Sequence, residues 1–235
     1  MAAVDGGTVE ADLAGDDLLC ERGWHSATED RRGVAEVLAG MIEYADVTVL
    51  AGRPTATGSA LARPGARVLD DVADLDAAAL VSGGWHLLED TLAWVGPDRR
   101  MTLPALSALS APGVWRADLR SDRPFHPERL LEDIALVGGD RHRSRGCFHL
   151  PTHPGTLGAW DGAGGLLSIG TDGSWGRRSP HTRIVLTGVG NRPDGLDEAF
   201  ESLLLTTTEL RRRGPFWEVQ EDGLEPWMGP VRRIA

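Results

Sequence analysis

Residues 47–54 read Val-Thr-Val-Leu-Ala-Gly-Arg-Pro, and they decide the fold of the first half of the chain. The run from Val47 to Leu50 is apolar or β-branched and short, which is how a strand buried on both faces reads. Just before it, residues 29–45 carry Val34, Val37, Leu38, Met41, Ile42 and Ala45 at spacings of three and four. That spacing predicts a helix with one apolar face, and Thr28 is a suitable N-cap. Upstream, Ala2-Ala3-Val4 ends in Asp5-Gly6-Gly7, a short strand and a turn. Downstream, a Pro-Gly break precedes another strand around residues 67–69. Strands alternating with helices predict a parallel α/β unit over residues 1–75.

Residues 76–112 show no clean period and many small side chains, and they read as a linker with a short helix in which His86 and Trp94 are packing residues. From Val114 the pattern changes. "VWRADL" alternates like a strand. Pro127 suits the first position of a helix whose apolar stripe is Leu130, Leu131, Ile134 and Val137, ended by Gly138 and Gly139. "RGCFHL", "GLLSIG" and "RIVLTGVG" read as strands. Residues 194–210 then predict one helix capped by Asp194, with Leu196, Ala199, Phe200, Leu203 and Leu204 inward. The order β-α-β-β-β-α over residues 113–235 predicts an α+β unit, an antiparallel sheet with helices on one face.

Composition narrows the chemistry. The 235 residues carry a net charge of −11, and all 24 basic residues are arginine. Residues 1–110 stand at −10 and residues 111–235 at −1, so the first half repels nucleic acid, and DNA is not an expected partner. Without lysine, neither a G-x-x-x-x-G-K-[ST] phosphate loop nor a Schiff base can form. The start of the chain is acidic without an apolar core, so it is no signal peptide, and no run is long enough for a membrane span. Cys20 and Cys147 stand far apart and read as free thiols of a cytoplasmic protein.

Three groups of side chains are candidates for binding. Arg123, His126 and Arg129 surround the predicted helix start, where an anion can be held; the competing reading is a fixed strand-to-helix turn with Phe125 in the core. Arg141, Arg143 and Arg145 alternate, so an extended "RHRSRG" puts them on one face. With Arg177, Arg178 and Arg183, and with Trp160 and Trp175 beside them, they would make a basic aromatic patch for RNA or protein. The competing reading is a solvated strand face with two core tryptophans. His149 and His153 are four apart, but Pro151 and Pro154 break any helix that would bring them to one metal, so they read as strand-end residues.

The segments "RPFHPERLLEDI", "RSRGCFHLPTHPGTLGAWDGAGGLLSIGTDGSW", "TRIVLTGVG" and "LDEAFESLLLTTTEL" together resemble the C-terminal domain of the CobW-like family of GTP-dependent metal chaperones. "AAVDGG" and "RRGVAEVLAGMIEYADVTVL" are similar to the later part of that family's GTPase domain. The resemblance implies a truncated Rossmann-like P-loop GTPase remnant followed by a CobW C-terminal domain. It implies too that the phosphate loop and the Cys-x-Cys-Cys metal motif would lie before Met1. The family's guanine reader, Asn-Lys-x-Asp, falls on Ala51, Gly52, Arg53 and Pro54. Pro54 offers no carboxylate to the guanine N–H groups, a loss on the order of several kcal/mol of discrimination. The chain is similar to a degenerate actinobacterial branch of the family, which implies a non-catalytic accessory protein that recruits a ribosome hibernation factor under zinc limitation. The ribosome or that factor is then the expected partner. No catalytic residue, metal ligand or cofactor is expected. The alternative is a GTP-dependent zinc metallochaperone whose N-terminal half is missing from this chain.

Overall fold

A computed structural model describes residues 1–27, 29–45, 47–52, 55, 58, 61, 62, 67–69, 113–214, 217 and 219–231. Thr28, Arg53, Pro54, His86, Trp94 and the predicted linker lie outside the described residues.

The first unit is a parallel three-stranded sheet in the order β1 (Ala2–Asp5), β2 (Val47–Ala51), β3 (Arg67–Leu69). Val47 to Leu50 are all buried, as the unbroken apolar run requires. Helix α1 (Val9–Ala14) follows β1, and α2 (Val34–Tyr44) leads into β2.

Two expectations are corrected here. Helix α2 begins at Val34, five residues later than its predicted start, because residues 29–33 are used otherwise. The Gly33 backbone bridges to Leu18, the Val34 N–H donates to Asp17 O at 2.8 Å, and Arg32 folds onto Asp30. The buried face keeps Val34, Ile42 and Ala45 of the predicted set and differs in part. Ala35, Ala39 and Ile42 face inward with Val34, while Met41 stays 46% exposed. Val37 and Leu38 are half-buried beside it.

The second unit is an antiparallel five-stranded sheet. Its strands are β4 (Val114–Ser121), β5 (Arg143–Phe148), β6 (Thr156–Ala163), β7 (Leu166–Ser174) and β8 (Thr182–Val189), in the order β4-β8-β5-β6-β7. Helices α3 (Pro127–Asp133), α4 (Ala135–Gly138), α5 (Leu196–Leu203) and α7 (Glu225–Met228) contribute to the core on one face. That core joins Leu130, Val137, Phe200 and Leu203 to the sheet residues Leu119, Phe148, Trp160, Ile184 and Leu186. The α+β architecture is the expected one.

Strand β6 was not foreseen, because "TLGAWDGA" is rich in glycine and alanine and lacks alternation. Seven of its eight residues are buried, so it sits in the middle of packing on both faces, where no polar face is needed. The predicted helix over residues 194–210 is two helices. Gly195, with φ of +76°, caps α5 in place of Asp194. Thr206 then starts α6 (Thr207–Arg213) with a capping box: its Oγ1 accepts the Glu209 N–H at 3.2 Å, and its own N–H donates to Glu209 Oε2 at 2.7 Å.

Candidate functional site

The R-S-R-G run, residues 143–146, lies on β5, and alternation along the strand sends Arg143 and Arg145 to the face opposite the helical core. There they meet Glu43 from the last turn of α2. Arg143 Nε and Nη2 donate to the two Glu43 oxygens at 2.7 and 2.9 Å, and Arg145 Nη1 donates to Oε2 at 2.9 Å. Arg143 also pairs with Asp161 and donates to Gly162 O at 2.9 Å. All three side chains of this latch are 8–9% exposed. Burial opposes the charge on Arg143, yet Glu43 and Asp161 hold its pKa above the ordinary arginine value.

The other two residues of the run are used on the strand itself. Ser144 Oγ accepts the indole N–H of Trp160 at 3.0 Å. Gly146 allows β8 to come close: a Cβ there would lie 1.9 Å from Arg183 O.

The expected basic patch is therefore corrected. Arg143 and Arg145 share a face, as alternation predicts, but that face is covered by α2 and neutralised by Glu43. Arg183 forks onto Asp118 at 2.8 and 2.6 Å, and that pairing raises its pKa. Trp160 is fully buried among Phe125 and Phe148, and Trp175 is 2% exposed. Arg177 and Arg178 are exposed, and Arg178 donates its backbone N–H to Trp175 O at 3.0 Å, but the Trp175 indole itself is turned inward, its N–H donating to Thr156 O at 2.9 Å. Of the alternating three, Arg141 alone is exposed.

The second candidate group is a joint between elements. Phe125 is in the core, and its N–H donates to His149 O at 3.1 Å. The His126 N–H donates to Leu203 O at 2.8 Å, and Pro124 O accepts the Leu205 N–H at 2.9 Å. Arg123 reaches Leu205 O at 3.2 Å and pairs with Glu201. Arg129 forks onto Glu209 at 2.9 and 3.0 Å and donates to Leu204 O at 2.7 Å. Hydrogen bonding from Arg129 pulls the Glu209 carboxyl down to about 2. The imidazole of His126 packs edge-on against Trp217 at 5.1 Å, and burial, then Arg129, depresses its pKa. Arg213 stacks on the same indole at 4.4 Å. Sequence reading foresaw the cations here but not Glu201 and Glu209, which follow some 80 residues later.

The histidines go to separate partners. His149 faces Trp175 across 6.2 Å, and burial lowers its pKa to about 4. His153 Nε2 lies 3.0 Å from Asp222. His142 Nε2 lies 2.9 Å from Val137 O. His181 Nε2 lies 3.8 Å from Cys147 Sγ, a thiol that burial pushes up to about 11. Among the described residues no group of three or more His, Cys, Asp or Glu side chains is placed to hold a metal ion. Among the same residues no helix is long and apolar enough to cross a membrane. At the end of β2, Ala51 leads into Gly52 with φ of +82°, a turn. Asp5, at the end of β1, accepts the Gly7 N–H at 2.7 Å.

The chain is 30% identical over 156 residues to the zinc chaperone Rv0106 of Mycobacterium tuberculosis, a match that covers 62% of this chain and 36% of that protein. It matches the uncharacterized protein Mb0109 of Mycobacterium bovis to the same extent. The chain thus spans about a third of the length of the curated relatives it matches. Among solved structures, the Zn(II)-bound YjiA GTPase from E. coli is 18% identical, with a TM-score of 0.42 over 86% of this chain and 60% of that one. Residues 115–204, which run from β4 to α5, match the cobalamin synthesis protein CobW C-terminal domain.

Proposed function

We propose that this protein is a non-catalytic, cytoplasmic accessory protein of the CobW type, which recruits a ribosome hibernation factor to the ribosome under zinc limitation. The observation that carries the reading is the join between the two units. The residues that match the CobW C-terminal domain, from β4 to α5, are latched through Arg143 and Arg145 to Glu43 of α2. Helix α2 leads directly into β2, which ends in Ala51 and Gly52 where the resembled family carries its guanine reader. The resemblance implies that the guanine reader is replaced at this end, and the pairing with Glu43 holds the same unit to the second domain.

The partner surface we assign lies around α6. Arg211, Arg212 and Arg213 form its exposed last turn, and Arg129, Arg123 and His126 are tied in beneath it while keeping part of their surface. Arg141 is a separate exposed cation. Arginines at a helix C-terminus suit an acidic or phosphate-bearing partner.

The test is affinity capture of the tagged protein from zinc-starved and zinc-replete cells, with gradient sedimentation of ribosomes. Cosedimentation in starved cells, lost in Arg211→Glu/Arg212→Glu, is expected. Abundant protein with no ribosome and no hibernation factor in starved cells overturns the reading.

A second reading is favoured by the 30% identity to a protein described as a zinc chaperone. Here the chain is part of a GTP-dependent zinc metallochaperone whose nucleotide half is supplied from outside these residues. Labelled GTP bound together with a companion segment carrying a phosphate loop supports it, and no binding in that combination removes it.

A further inference from the structure

We draw no further inference here: the strongest candidate, the Cys147–His181 pair on the face of the five-stranded sheet opposite the helical core, brings a thiol within 3.8 Å of an imidazole but gains no third metal-ligating side chain among the described residues, and its thiol is buried and held away from the reactive thiolate.

Discussion

Replacing Glu43 by alanine tests how the two units are held together. Glu43 is a buried carboxylate that accepts three hydrogen bonds from two buried guanidinium groups. Arg143 keeps Asp161 and two backbone carbonyls after the change. Among the described residues the Arg145 side chain has no other partner: its ion pair is with Glu43, and its Nε is already buried without a hydrogen bond. The substitution therefore strands one buried cation and weakens a second. Breaking a buried pair from one side costs about 3–5 kcal/mol, most of it from the charge left behind. For a domain of about 150–250 residues that is a fall in Tm of roughly 6–20 °C. Urea unfolding of wild type, Glu43→Ala, Arg145→Ala and the double variant completes a double-mutant cycle. If the reasoning holds, the double variant is no less stable than Glu43→Ala, because removing Arg145 removes the stranded charge. A change below about 0.5 kcal/mol in Glu43→Ala, the range of ordinary surface substitutions, would refute the latch.

Gly146→Ala should prevent β5 and β8 from pairing, since its Cβ would fall 1.9 Å from Arg183 O in the middle of the sheet; circular dichroism should show loss of β signal, and a folded variant within about 1 kcal/mol of wild type contradicts the close approach. The pH dependence has a worked sign at Glu209. Its folded pKa, about 2, lies below its unfolded value, so its contribution is present above about pH 4.5 and is lost as pH falls toward 2. Acid titration of stability should be flatter over that window in Glu209→Gln than in wild type. Cys147 is buried and its thiol is pushed up to about 11, while Cys20 is half-buried. At pH 8 a thiol reagent should label Cys20 first and Cys147 only after unfolding; fast labelling of both contradicts the burial.

Much of the fold was legible because local pattern and final burial agree. The apolar run in β2 is buried on both faces, and Pro127 begins α3 as its fixed backbone angle suits. What failed locally failed for identifiable reasons. Strand β6 has no alternation because both its faces are packed, and α2 starts late because the Gly33 and Val34 backbone groups are claimed by Leu18 and Asp17. The candidate site was harder to read. Periodicity put Arg143 and Arg145 on one face, but it does not say what covers that face. A row of arginines reads alike on an open sheet and over a buried glutamate 100 residues away. Arg123 and Arg129 were visible as cations, and their carboxylates, Glu201 and Glu209, were hidden by the same distance along the chain.

The sequence by itself determined the two kinds of sheet, the arginine-only chemistry that rules out a lysine phosphate loop, and the resemblance to the CobW C-terminal domain. Those properties depend on residue type and short spacing, which a linear chain displays directly. Only the tertiary structure decided that the R-S-R-G run is a joint with α2 and not a surface, and that Trp160 and Trp175 are core. Each of these depends on which distant segment supplies the opposing charge or the covering face, and that is settled by packing across the whole chain.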